Sequence, residues 1–147
     1  MTQTRSLIAA LAATTALAAP AMAQDDTLTV GVLLTLSGPG AVLGEMARDG
    51  FLLAAEEIGD LGGMPTEIIV VDDEQKPDVA ANKARELVER NGADIVVGPI
   101  FSNVAGAIVQ PVTQGGGILI SPNAGPSNLA GAECNKAFFA TSYQNDQ

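Results

Sequence analysis

Apolar residues recur along this 147-residue chain in two alternating rhythms. Short runs dense in leucine, isoleucine and valine occur at Leu28–Leu36, Glu67–Val71, Ile95–Gly98 and Ile118–Ile120, and a fifth is expected at Ala137–Thr141. Such runs suit strands buried on both faces. Between them the spacing becomes helical. Leu43, Ala47, Gly50, Phe51, Ala54 and Ile58 fall on one helical face, with Glu45, Arg48, Asp49, Glu56 and Glu57 largely elsewhere, before Gly62-Gly63 ends the segment. A second helix is expected from Pro77, with Ala80, Ala84, Leu87 and Val88 as its apolar stripe and Asn91-Gly92 as its stop. A third carries Val104, Ile108, Val109 and Val112. Strand and helix alternate throughout, which predicts an α/β fold with a mainly parallel sheet and helices on both faces.

In an open parallel sheet, ligands bind beyond the carboxyl ends of the strands. Three polar or glycine-rich turns fall at such ends: Ser37–Gly40, Pro99–Asn103 and Ser121–Ser127. The second presents Ser102 and Asn103 where a helix begins. Two readings fit that position. Either side chain would serve as a helix N-cap. A hydroxyl beside unpaired backbone N–H groups and the positive end of a helix dipole is equally a site for a carboxylate.

The amino terminus reads as a secretory signal peptide over residues 1–23. Arg5 supplies the positive region, Leu7–Ala19 the apolar one, and Ala21-Met22-Ala23 an A-x-A cleavage signal. The apolar stretch is too short for a membrane span. No cysteine lies near the cleavage site, which argues against a lipid anchor. Cleavage would leave 124 residues, Gln24–Gln147, with 17 acidic and 6 basic residues and a net charge of −11. So acidic a chain repels phosphate backbones, and nucleic acid is excluded as an expected partner. Cys134 is the single cysteine and reads as a partly buried free thiol.

Catalytic machinery is hard to find. The chain has no histidine, so histidine acid–base chemistry and histidine metal sites are excluded. It has no G-x-S-x-G elbow, P-loop or complete dinucleotide fingerprint. No enzyme activity and no cofactor are expected. Asp72-Asp73-Glu74 could in principle hold a metal or form the acidic pocket of a phosphorylation receiver domain. A receiver would need its acidic pair after the first strand and an acceptor after the third, where Ser37 and Pro99 stand. The run is therefore expected to be a solvated turn.

Gly31-Val32-Leu33-Leu34-Thr35-Leu36-Ser37-Gly38-Pro39 resembles the opening of the periplasmic leucine/isoleucine/valine-binding proteins, solute receptors of branched-chain amino-acid ABC transporters. Further matching pieces are Arg48-Asp49-Gly50, Glu56-Glu57-Ile58, Gly62-Gly63, Val71-Asp72-Asp73, Val97-Gly98-Pro99, Ile120-Ser121-Pro122 and Glu133-Cys134-Asn135. The resemblance spans Leu28–Gln147. It implies the type I periplasmic-binding-protein fold, two α/β lobes closing on a solute, with residues 24–147 as most of an amino-terminal lobe and the second lobe absent. It implies that Ser102, preceded by Phe101, holds the solute's carboxylate, and that Asn123, Ala124 and Gly125 assist. Gly125 stands where amino-acid-binding relatives often have a threonine hydroxyl, and Leu43 where some have an aromatic ring, which leaves room for an aromatic or other organic acid. Tyr143 and Gln144 lie where the family places an ammonium-binding acid. The implied partners are a small carboxylate solute, an amino acid by the resemblance, and an inner-membrane ABC permease, with the protein a periplasmic monomer. A ligand-sensing domain of a receptor or regulator is the alternative.

Overall fold

The structure, a computed structural model, describes residues 27–146. The expected signal peptide lies outside the described residues. Among the described residues five strands alternate with three helices: β1 (Leu28–Leu34), α1 (Ala41–Ile58), β2 (Thr66–Asp72), α2 (Pro77–Arg85), β3 (Ile95–Val97), α3 (Ser102–Gln114), β4 (Ile118–Ser121) and β5 (Phe138–Ala140). A wide π turn, Glu86–Arg90, extends α2, and a 3₁₀ turn, Ser127–Ala130, precedes β5. All strand pairs are parallel, in the order β2-β1-β3-β4-β5. The expected α/β architecture is therefore present, with β1 and β5 each shorter than their apolar runs suggest.

Side chains alternate across the sheet with period two. Leu33, Val96 and Leu119 point to one face, where they pack with Ala80 and Ala84 of α2 and Val104, Ile108 and Val112 of α3. Val30, Val32 and Leu34 point to the other, against Ala47 and Phe51 of α1. Helices thus cover both faces. Two glycines allow close approach: a β-carbon on Gly31 would lie 2.8 Å from Leu87 Cδ1, and one on Gly44 would collide with the Thr35 carbonyl. Gly44 thereby seats the start of α1 on the end of β1. No helix among the described residues is long and apolar enough to cross a membrane.

Coverage of the two faces is unequal. Among the described residues only α1 lies on its side, and Ile118 and Phe139 on β4 and β5 are 40% and 53% exposed. The residues expected on one face of α1 do share it, but only part of that face is covered. Ala47 and Phe51 pack, but Leu43 and Ile58 are 53% and 67% exposed. Helical periodicity shows which residues share a face, not how wide a neighbour that face meets. Cys134, expected to be partly buried, is exposed.

Gly44→Ala is expected to destabilise the fold by about 1–3 kcal/mol, because the added methyl meets backbone that cannot rotate away. Gly50→Ala, where a β-carbon meets nothing within 4 Å, should instead stabilise it by about 0.5–1 kcal/mol through helix propensity. Urea unfolding of both variants checks the pair. Equal effects would contradict the seating role of Gly44.

Candidate functional site

Because the strands are parallel, the turns after β1 through β5 emerge along one edge of the sheet. The turn after β3 runs Gly98-Pro99-Ile100-Phe101 into α3. Phe101, in extended conformation, is the N-cap, and no side chain among the described residues caps the helix. The capping reading of Ser102 and Asn103 is thus overturned. The Phe101 carbonyl accepts the N–H of Val104 at 3.1 Å and of Ala105 at 3.0 Å. The N–H groups of Ser102 and Asn103 open the helix, where no intrahelical acceptor exists. Ser102 Oγ donates to Asn145 Oδ1 at 3.0 Å, across 43 residues of sequence.

The loop after β4 is drawn toward the same point. Asn123 Nδ2 donates to the Ile100 carbonyl at 2.8 Å, and Ser121 Oγ donates to the Ala124 carbonyl at 2.6 Å. Asn123 therefore spends its amide on fastening the β4 loop to the β3 turn. Ala124 is buried. Gly125 accepts the Asn145 N–H at 2.8 Å, and a β-carbon on Gly125 would collide with the Tyr143 carbonyl. The absence of a side chain at Gly125 is thus what lets the segment after β5 cross over it. That segment is held by Thr141, whose N–H donates to the Ser121 carbonyl at 2.9 Å.

Of the residues singled out in the sequence, Ser102, Asn123, Ala124 and Gly125 are brought together by these contacts. Half-buried Phe101 adjoins them, its ring lying where a β-carbon on Gly40 would be, 2.6 Å from the nearest ring atom. Leu43 stands in the first turn of α1 with its side chain exposed. Tyr143 is 69% exposed and meets the site through its carbonyl. Asn145 carried no sequence signal, being a polar residue in a polar chain end. A different depression of about 390 Å³ lies between α2 and α3, lined by Arg85, Glu89, Gln110 and Gln114. It sits at the carboxyl end of α3, away from Ser102.

The acidic run after β2 is not the solvated turn its composition suggests. Asp73 is fully buried: its Oδ1 accepts Thr35 Oγ1 at 2.6 Å and the Gln75 N–H at 2.7 Å, while Oδ2 has no partner among the described residues. Burial pushes the Asp73 carboxyl above the ordinary aspartate range, and the adjacent Asp72 charge adds to this. The bonds from Thr35 and Gln75 act the other way without offsetting it. Asp72 is opposite in sign. Partial desolvation disfavours its charge, but hydrogen bonds from Ser37 and from the N–H groups of Leu36 and Glu74 outweigh that and hold it below the ordinary range. Together the two carboxyls tie the β2 turn to the end of β1, and Gln75 reaches the same place beside Gly40 and the Phe101 ring. Among the described residues no cluster of metal-ligating side chains occurs.

A family model described as periplasmic binding protein matches residues 27–147, and the chain belongs to that family. It is 31% identical to the Leu/Ile/Val-binding protein BraC3 of Rhizobium johnstonii over 128 residues, covering 85% of this chain and 34% of that protein. The branched-chain amino-acid substrate-binding protein LivJ of Streptococcus pneumoniae, solved with isoleucine, superposes with a TM-score of 0.74 at 30% identity, over 80% of this chain and 34% of that one. A solute-binding protein from R. palustris, solved with benzoate, gives 0.75 at 37% identity, over 81% of this chain and 33% of that one. These relatives are solute-binding proteins, not enzymes. The chain spans about a third of the length of the curated relatives it matches.

The raised Asp73 value fixes a sign for pH dependence. The neutral form is favoured in the fold, so its contribution to stability is complete below the ordinary value of 3.8 and is lost as pH rises through the folded value. Asp73→Asn keeps an acceptor for Thr35 and removes the ionisation. In urea unfolding from pH 3.5 to 7.5, the variant is expected to gain stability relative to wild type as pH rises. A difference that stays constant with pH would contradict the assignment.

Proposed function

We propose that this chain is most of the amino-terminal lobe of an extracytoplasmic solute receptor serving an ABC importer. Its cradle takes the carboxylate of a small solute, a branched-chain amino acid or a related acid. The observation that carries this reading is the start of α3. Ser102 Oγ and the opening N–H groups stand at the positive end of the helix dipole, and the β4 loop is fastened to the preceding turn through Asn123. An anion at that point gains charge-assisted hydrogen bonds without moving the backbone. Relatives solved with isoleucine and with benzoate, both carboxylates, support the same solute class.

The reading extends to what surrounds the cradle. A second lobe would supply the opposite wall, and closure would expel water and strengthen the charged contacts. A secretory signal over residues 1–23 would deliver the receptor to the periplasm, where an inner-membrane permease would accept the solute. This chain alone offers one wall, so its affinity should be low, in a range that amide chemical shifts detect.

Ser102→Ala is expected to weaken carboxylate binding five- to tenfold, about 1–1.5 kcal/mol, through loss of one hydrogen bond to a charged group. Titration of the ¹⁵N-labelled chain with leucine and with benzoate measures it. A change within twofold for both solutes would contradict the role given to Ser102.

A further inference from the structure

Helix α1 is apolar on two sides. Gly44, Ala47 and Phe51 meet the sheet, Gly44 against the Thr35 carbonyl and the other two beside Val30, Val32 and Leu34. At 3.6 residues per turn, Val42, Met46 and Leu53 fall on the opposite side, away from the sheet. They are 65%, 69% and 58% exposed. Leu43 and Ile58 project nearer Ala47, toward the sheet face that α1 leaves partly open, and belong to that side instead. Single exposed apolar residues are ordinary. Three in line, spaced by four and then seven residues, make a ridge about 16 Å long at 1.5 Å per residue. Contiguous apolar surface of that kind marks an interaction site.

A second row runs beside the first. Glu45, Asp49 and Glu56 each stand three residues after a ridge residue and so line one flank of it, while Glu57 lies on the other. All four are exposed. Arg48, the one basic residue of α1, projects on the sheet-ward side and pairs with Asp49 at 2.8 Å. Among the described residues no ion pair involves Glu45, Glu56 or Glu57.

The two rows decide what fits. Anionic lipid headgroups are repelled by the acidic flank. A second copy, paired with the first about a two-fold axis, sets the acidic flank of one α1 against that of the other. The ridge is also much smaller than the roughly 800 Å² per partner of a standard stable interface. A helix with its own apolar stripe and with lysine or arginine along one edge satisfies both rows at once. We propose that the outward face of α1 is a docking surface for a cationic amphipathic helix of a partner protein, its apolar stripe on Val42, Met46 and Leu53 and its basic edge beside Glu45, Asp49 and Glu56. The proposal does not depend on the carboxylate cradle.

The probe is a fluorescein-labelled helical peptide of leucine and lysine, as long as α1 at 18 residues, with leucines on one face and lysines on the other. Fluorescence anisotropy follows its binding to the 147-residue chain at low and at physiological salt. Wild type should bind at about 10–100 μM, in keeping with a small contact, and more weakly as salt rises. The triple variant Val42→Gln/Met46→Gln/Leu53→Gln should weaken binding about tenfold. Glu45→Gln/Glu56→Gln should weaken it about threefold and flatten its salt dependence. Glu67→Gln/Glu89→Gln, which removes two exposed charges elsewhere, should leave it within twofold. Unchanged amide dispersion shows that each variant is folded, as expected for exposed positions. Affinity retained within twofold by the triple variant overturns the proposal. So does equal binding of a peptide with the same residues in scrambled order, or an equal loss in the Glu67/Glu89 control, since either reduces the effect to the chain's net charge of −10. A wild-type dimer in light scattering that the triple variant dissolves assigns the face to a second copy. Phosphatidylglycerol vesicles bound by wild type and not by the triple variant assign it to lipid. Either result overturns the proposal as well.

Discussion

Parallel pairing is the constraint on which the rest of the structure depends. Each strand of β2-β1-β3-β4-β5 must be re-entered from the same end, so each connection crosses back and every strand delivers its following turn to the same edge. Residues far apart in the chain, such as Ser102 and Asn145, meet because of this and not because of local sequence. The apolar core enforces the arrangement. Leu33, Val96 and Leu119 alternate with Val32 and Val97 across the sheet, and a one-residue slip would turn each set toward the wrong helices.

The edge so formed is stiffened by hydrogen bonds that leave the start of α3 available. Asn123 secures the β4 loop to Ile100, Thr141 secures the end of β5 to Ser121, and the acidic pair after β2 secures the end of β1. In doing so the Asp73 carboxyl is held above the ordinary aspartate range by its burial, and its second oxygen has no partner among the described residues. Such a cost at a rim is consistent with a surface that must be held in place before a solute arrives. The buried and fastened residues are the frame, and Ser102 with the first N–H groups of α3 is the part that faces outward.

Much of this was legible in the residues. Apolar runs of strand length, alternating with helical stripes, gave the order of elements. The strand–turn–helix at Ile95–Val112 located Ser102 beside a helix start. Three features escaped for physical reasons. Whether an acidic residue at a strand end is solvated depends on what packs over it, and Thr35 lies 38 residues away from Asp73. Gly125 read as a lost hydroxyl because its sequence neighbours do not reveal that the chain after β5 crosses it. Leu43 shares a helical face with Ala47 and Phe51, and periodicity cannot show that, among the described residues, α1 is the one helix on that side of the sheet. Each omission is a long-range contact, and none is encoded in local spacing.

The central claim is that a solute's carboxylate rests at the start of α3. A crystal structure of this chain grown with millimolar benzoate tests it most directly. The account predicts carboxylate oxygens within about 3 Å of Ser102 Oγ and of the first N–H groups of α3, the range of charge-assisted hydrogen bonds. Benzoate seated instead in the depression between α2 and α3, with the Ser102–Asn145 bond intact, would contradict it.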